Sequence, residues 1–140
     1  MDHLYAYSKA PAHKGFPNIV TLCSPAQRRK LYRSVLRKII DGKWNGAWLT
    51  PRKRRGVVRI RLHKHSKQLV ILAYHVVLVA NGYFPHDQRR YCSHLCHNPR
   101  CMRVEHLCWS DSNDNMLREL CRTQGRCVCG LPRACSFDCT

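Results

Sequence analysis

Acidic residues are scarce in this sequence. Eight Asp and Glu residues stand against 25 Lys and Arg residues, so the 140-residue chain carries a formal net charge of +17. Charge of this size and sign on a small protein indicates a polyanionic partner, and nucleic acid is the first expectation. The length suits one domain with a modest core, which bound metal ions would help to stabilise.

Long apolar segments are also lacking. The most apolar run covers residues 69–80 and is interrupted by His75, so it is too short to cross a bilayer. The N-terminal stretch 1–15 has no apolar core of the kind found in secretory signal peptides. We therefore expect the ten cysteines to bind metal in a reducing intracellular compartment, and not to form the disulfides of a secreted protein.

The cysteines are concentrated near the C-terminus, with nine of them between positions 92 and 139 and only Cys23 far upstream. One set has four residues between successive members, a spacing that lets a loop fold around one tetrahedral zinc ion; it comprises Cys96, Cys101 and His106. A second set has the pattern C-x5-C-x-C-x5-C and predicts a closed four-thiolate zinc site; it comprises Cys121, Cys127, Cys129 and Cys135, with Cys139 as the alternative to Cys135.

The N-terminal part predicts an arm followed by a helix. Residues 1–22 have little periodicity and several Pro and Gly, so we expect an arm or loop there and a single compact domain over 23–140. Ser24 and Gln27 form a capping-box pattern that predicts the start of a helix, and Gly42 predicts its end. One face of this helix is apolar and the rest is basic, which fits either a solvated surface or a surface that faces phosphates.

A hairpin and a short buried helix are predicted next. Residues 57–62 alternate apolar and partly basic, a turn follows over 63–67, and 68–72 predicts a second strand or the start of a helix. Two such strands can enter a DNA major groove as a ribbon. Residues 73–80 predict a buried helix in which His75 is a core or surface residue and no ligand. A short strand over 89–91 then leads to His94.

Basic side chains on this hairpin and on the loop before it are the predicted DNA contacts. The run at 52–55 is equally consistent with a nuclear import signal, a phosphate contact or a solvated loop. The predicted contacts are Arg52, Lys53, Arg54, Arg55, Arg59, Arg61, Lys64 and Lys67.

Residues 94–115 read HLCHNPRCMRVEHLCWSDSNDN. This string resembles the His-Cys box homing endonucleases, a branch of the ββα-metal (His-Me finger) nucleases, and the match is dense from Ser93 to Cys135. The resemblance implies a small α+β domain with a ββα-metal core and two structural zinc sites. It implies that His94 activates the attacking water and that Asn115, on the following helix, holds one catalytic Mg²⁺.

The resemblance also implies a fourth ligand for the first zinc ion from a distant upstream cysteine. Cys23 is the better candidate and Cys92 the other, while the residues alone would also allow His94 itself to be this ligand. This sequence departs from the family at Cys129, where relatives have histidine, and in the gap to the last ligand. The arginine with which relatives grip the scissile phosphate has no fixed equivalent, since Arg59, Arg61 and Lys67 all qualify.

The expected function is a Mg²⁺-dependent, site-specific endonuclease for double-stranded DNA, of the intron-type homing class. An imidazole such as that of His94 accepts protons near neutral pH, and an amide oxygen such as that of Asn115 suits a hard cation. A non-catalytic zinc module that binds nucleic acid is the alternative, with the same charge and cysteines. A nuclear location and, by analogy with the family, a homodimer are further expectations.

Overall fold

The computed structural model describes residues 17–40, 56–86 and 89–139. Strands in these ranges form two separate antiparallel pairs, β1–β2 and β3–β4. The architecture is mixed α+β, as the sequence predicts. The elements are α1 (Asn18–Thr21), α2 (Pro25–Ile40), β1 (Val57–Arg61), β2 (Gln68–Leu72), α3 (Ala73–Ala80), β3 (Tyr91–His94), a 3₁₀ turn (Val104–His106), β4 (Leu107–Ser110) and α4 (Ser112–Gln124).

Helix α2 begins at the predicted capping box. The backbone N–H of Ser24 donates to Gln27 Oε1 at 2.7 Å, and the N–H of Gln27 donates to Ser24 Oγ at 3.2 Å. These reciprocal bonds satisfy two N–H groups that the first helical turn leaves without partners. Leu31 and Val35 of the apolar face are fully buried. The predicted stop at Gly42 lies outside the described residues.

The segment before α2 differs from the predicted arm. Its described part, residues 17–22, contains α1, and Ile19 and Val20 on this turn are buried in the core. Arg28 of α2 holds the turn in place, because its Nε donates to the Ile19 carbonyl at 3.0 Å and its Nη2 to the Val20 carbonyl at 3.2 Å. Its guanidinium also lies over the Phe84 ring, 5.5 Å from the centroid. The sequence pattern missed α1 because a four-residue helix has no measurable periodicity.

The first hairpin has one buried and one exposed face. Arg59 pairs with Val70 and Arg61 with Gln68, and all four side chains are exposed. Val58 and Ile60 of β1 and Ile71 of β2 lie on the other face and are buried, and β1 packs against α2. The period of two in the sequence therefore correctly predicted β1 and its buried face, and 68–72 is a strand, one of the two alternatives that the sequence left open.

Helix α3 follows β2 without a loop and forms the centre of the core. Six of its eight residues are buried, and it packs against α2 on one side and β4 on the other. Asn81 ends the helix by donating its Nδ2 to the Val77 carbonyl at 2.7 Å, and Gly82 follows with a φ of 86°. No helix in the described ranges is both long and apolar enough to span a membrane.

The second hairpin and α4 form a ββα unit. Strand β3 covers Tyr91–His94, slightly later than the predicted strand at 89–91, and its last residue pairs with Leu107 of β4. Asp111 caps α4 by accepting a 2.7 Å hydrogen bond at Oδ1 from the N–H of Asp114, and Gly125 with a φ of 70° ends the helix. Helix α4 packs against both strands, so the unit presents the end of β3 to the first turn of α4.

Candidate active site and metal centres

His94 is the last residue of β3, and its position is fixed on two sides. Its backbone carbonyl accepts a 3.0 Å hydrogen bond from the N–H of His97, where the chain turns. Its ring packs edge-on against the buried Tyr74 of α3, with the ring centroids 5.0 Å apart at 80°. The imidazole is half-buried. Rigid neighbours of this kind suit a group that must stay aligned with a substrate.

Asn115 lies in the first turn of α4, where its backbone N–H donates to the Asp111 carbonyl at 3.1 Å. The side-chain cap of the helix is Asp111, so Asn115 does not serve as the cap. Its Oδ1 accepts a short hydrogen bond from Ser93 Oγ, and Ser93 is buried beside His94 on β3. Because an amide oxygen has two lone pairs, this bond orients the side chain and leaves one lone pair for a cation.

His94 and Asn115 line one open cavity of about 360 Å³. One face of α4, the end of β3 and the turn after it form its walls. Arg118 is almost fully buried here, whereas Arg122 is exposed and paired with Glu119. The remaining lining residues are Cys92, Ser93, His97 and Pro99. The cavity thus combines an imidazole, an oriented amide oxygen and positive charge.

His75 lies close to this cavity but does not line it. Its ring centroid is 5.0 Å from that of Tyr74 and 5.0 Å from that of Trp109. Burial, together with the nearby positive charge that His94 can carry, lowers the pKa of His75 to about 4. His75 is therefore neutral near pH 7, which agrees with its prediction as a packed residue.

The first metal cluster comprises four side chains whose ligand atoms all lie within 4.8 Å of one another: Cys96, Cys101, His106 and Cys139. Zinc–sulfur bonds of about 2.3 Å in a tetrahedron place two sulfurs about 3.8 Å apart, so the cluster fits one zinc ion with little adjustment. Cys101 Sγ is 3.3 Å from His106 Nδ1. A hydrogen bond from Cys101 is the main cause of a Cys96 pKa near 5, so Cys96 is the member that ionises most readily.

N–H groups point at the sulfurs of this cluster. The backbone N–H of Arg103 donates to Cys101 Sγ at 3.5 Å, and Asn98 Nδ2 donates to Cys139 Sγ at 3.5 Å. His97 adopts a φ of 60°, which turns the chain directly after Cys96. Donors of this kind stabilise thiolates and orient metal ligands.

The second cluster contains all four predicted cysteines, Cys121, Cys127, Cys129 and Cys135, again with sulfurs within 4.8 Å of one another. The backbone N–H of Val128 donates to Cys121 Sγ at 3.2 Å. The backbone N–H of Cys135 donates to Cys127 Sγ at 3.4 Å and is the main cause of a Cys127 pKa of about 7. Four sulfurs with oriented donors fit a closed structural zinc site.

One C-terminal segment links both clusters to the cavity. Cys135 belongs to the second cluster and Cys139 to the first, and between them the N–H of Ser136 donates to the Leu95 carbonyl at 2.8 Å. Phe137 stacks on the His97 ring with centroids 5.0 Å apart. Arg118 Nη1, in turn, donates to Cys135 Sγ at 3.7 Å. The segment therefore holds the two clusters in a fixed relation around the His94 cavity.

The structure corrects the predicted fourth ligand of the first cluster. Cys139 fills this place, and Cys23 lies instead in the hydrophobic core, 5% exposed, where burial raises the pKa of its thiol. Cys92, the other candidate, belongs to neither cluster, and burial likewise raises its pKa. His94 also stays outside both clusters in the described part of the chain. Cys135 and Cys139 belong to different clusters, so they are not alternatives for one ligand position of the second cluster.

The predicted DNA contacts divide into two groups. Residues 52–55 lie outside the described residues. The other four are exposed on the first hairpin or its turn: Arg59, Arg61, Lys64 and Lys67. Arg61 is partly fixed, because its Nη1 donates to the Ser66 carbonyl at 2.7 Å.

Two residues that the sequence analysis did not assign to the site stand out in the structure. Ser93 could have been found from the sequence, since it directly precedes His94 in the stretch that resembles the family. Cys139 appeared only as an alternative for the other cluster, because its distance along the chain from Cys96 gave no spacing rule to apply.

Fold and clusters together define a small α+β protein with a ββα unit and two sites suited to zinc. The sequence profile of the zinc-binding loop region of homing endonucleases matches residues 44–136, about two thirds of the chain. The protein therefore belongs to this family, as the resemblance to the His-Cys box homing endonucleases indicated. No solved structure matches the chain.

Proposed function

We propose that this protein is a Mg²⁺-dependent endonuclease that cuts double-stranded DNA at specific sites, as an intron-type homing enzyme. The observation that carries the proposal is the single cavity lined by both His94 and Asn115. Membership of a homing endonuclease family supports the same class of reaction. A zinc module that only binds nucleic acid has no need for this pair of residues in one cavity.

In the proposed reaction, His94 accepts the proton of the water that attacks the scissile phosphorus. Asn115 would hold Mg²⁺ through its Oδ1, which Ser93 orients by its hydrogen bond. When bound, the cation would stabilise the negative charge that develops on the leaving 3′ oxygen. Arg118 contributes positive charge from the buried wall of the cavity.

We propose that the exposed face of the first hairpin recognises the base sequence of the DNA. This face presents Arg59, Arg61, Gln68 and Val70 at paired positions. A two-stranded ribbon fits the major groove, where arginine matches guanine, glutamine matches adenine and an apolar side chain matches the thymine methyl group. The hairpin therefore carries the side-chain types needed to distinguish base pairs.

The test is cleavage of plasmid and genomic DNA by zinc-loaded protein with and without added Mg²⁺. We expect discrete fragments from the wild type with Mg²⁺ and none without it. In His94→Ala, cutting should fall about 10²- to 10⁴-fold, the usual contribution of a general base, with zinc content and DNA binding unchanged. His86→Ala serves as control, since His86 is an exposed histidine that does not line the cavity. DNA binding without cutting across many substrates would instead establish the zinc module.

We also propose that the protein acts as a homodimer in the nucleus. Helix α4 exposes three apolar side chains, Met116, Leu117 and Leu120, on a surface that pairing of two chains would cover. Sedimentation of the wild type and of Leu120→Glu tests the dimer: the wild type should sediment as a dimer and the variant as a monomer.

A fluorescent fusion of the protein, with and without the basic run at 52–55, tests the nuclear location.

A further inference from the structure

Positive charge is not spread evenly over this protein. The described residues of the N-terminal half, 17–40 and 56–86, contain ten Lys and Arg and no Asp or Glu. In residues 89–139, by contrast, eight arginines are accompanied by five acidic residues. A protein surface that serves only for solubility mixes both signs of charge. The N-terminal half therefore has a surface suited to an anion.

Five of these cations line one cleft. The cleft lies between α2 and β1 and has a volume of about 500 Å³. Buried Leu31 and Ile60 contribute to its lining, together with Ser34 and Gln68, and no acidic residue lines it. The cations are Lys30, Arg33 and Arg37 from α2 and Arg59 and Arg61 from β1, and all five are exposed.

The arrangement on α2 is unfavourable for an isolated protein. Lys30 and Arg33 are three residues apart and Arg33 and Arg37 four apart, so like charges are neighbours on one helix face and repel each other. No side-chain hydrogen bond or ion pair with an acidic partner relieves this repulsion in the described ranges. A bound polyanion would do so and would release its own counterions.

The cations of α2 are also spaced along the helix at a distance that suits a nucleic acid strand. Seven residues of helix separate Lys30 from Arg37, which at about 1.5 Å per residue spans roughly 10 Å. One DNA strand rises about 3.4 Å per phosphate along the duplex axis. Because the strand winds around this axis, its neighbouring phosphates lie farther apart than this rise, so the cations of α2 reach about two of them, beside the hairpin face that carries Arg59.

We propose that the α2 side of this cleft, with Lys30, Arg33 and Arg37, binds the phosphodiester backbone of one DNA strand, while the exposed face of the adjacent hairpin, with Arg59 and Arg61, reads bases in the major groove. The proposal rests on the proposed function in taking duplex DNA as the partner. It does not follow from family membership, because α2 lies before residues 44–136, which the family profile matches. Helix α2 thereby supplies binding that carries no sequence information.

The experiment compares Arg37→Gln with Arg29→Gln in DNA binding. Both arginines are exposed on α2, but Arg37 lines the cleft and Arg29 does not. Fluorescence anisotropy with zinc-loaded protein, a short labelled duplex of mixed sequence and no added Mg²⁺ gives the dissociation constant at several salt concentrations between about 50 and 200 mM. Circular dichroism and zinc content verify that both variants fold.

We expect the slope of log K against log salt to become less steep by about 0.9 in Arg37→Gln and by about 1.8 in Arg33→Gln/Arg37→Gln, with Arg29→Gln unchanged. The loss of affinity should be equal for two duplexes of unrelated sequence, since phosphate contacts read no bases. Equal slopes for Arg37→Gln and Arg29→Gln would overturn the proposal, as would a loss that depends on sequence.

This test is separate from the test of nuclease activity. If the wild type cuts DNA but Arg37→Gln binds with an unchanged slope, the cleft proposal fails and the proposed function stands. If no DNA is cut but the slopes change as expected, the nuclease proposal fails and the cleft is still a backbone site.

Discussion

Replacing Cys139 and Cys23 one at a time tests the first metal cluster most directly. The structure brings Cys139 Sγ within 4.8 Å of the other three ligand atoms, whereas Cys23 lies in the apolar core. We expect Cys139→Ser to lower the zinc content from about two ions per chain to about one. Cys23→Ser should keep both ions.

The magnitude follows from the number of ligands. Structural zinc sites contribute about 10 to 16 kcal/mol in binding free energy, so one of four ligands accounts for about 2.5 to 4 kcal/mol. A loss of this size weakens zinc affinity roughly 10²- to 10³-fold. Cys23→Ser has a different cost, since a hydroxyl replaces a thiol in an apolar site, and should destabilise the protein by about 1 to 3 kcal/mol without loss of metal.

Zinc is measured by elemental analysis of purified protein after dialysis against a weak chelator, and stability by urea unfolding with zinc in excess. Cys92→Ser is a useful third variant, because Cys92 is partly buried and lines the cavity but belongs to neither cluster. If Cys139→Ser retained two ions while Cys23→Ser retained one, the assignment of the fourth ligand from the structure would be refuted.

Three further predictions concern residues that support the site. Ser93→Ala should raise the Mg²⁺ concentration for half-maximal cleavage about 10- to 100-fold, because Asn115 loses the partner that orients it; an unchanged Mg²⁺ titration would contradict this. The pKa of His75 is lowered from 6.5 to about 4, so the unfolded state binds more protons than the folded state between these two pH values. The free energy of unfolding should therefore fall by about 3 kcal/mol in all as the pH drops through this window. In urea unfolding at a series of pH values, His75→Phe should lack this part of the loss of stability. Arg28→Met should lower the free energy of unfolding by about 2 to 4 kcal/mol, since two buried carbonyls lose their donor. Equal urea midpoints for this variant and the wild type would show that α1 does not need Arg28.

Local features of the sequence predicted much of this structure. The capping box located the start of α2, and alternation located β1 with its buried face, because hydrogen bonds and side-chain orientation within a few residues decide these features. The four cysteines of the second cluster were found for the same reason. They lie between positions 121 and 135, and the turn after α4 brings them together without help from distant elements.

Contacts between distant parts of the chain could not be read from the sequence. Cys139 joins Cys96 because the C-terminal segment returns across the ββα unit, where Ser136 binds the Leu95 carbonyl. Neither composition nor spacing specifies this return. The burial of α1 under Arg28 is of the same kind.

The sequence by itself determined the family, the basic character, the types of metal ligand and the identity of His94 and Asn115 as residues of interest. Only the tertiary structure decided that these two share one cavity, that Ser93 orients the amide, and that α2 and β1 enclose a basic cleft. The physical reason is that a side chain's chemistry is local, whereas its partners depend on how separate elements pack.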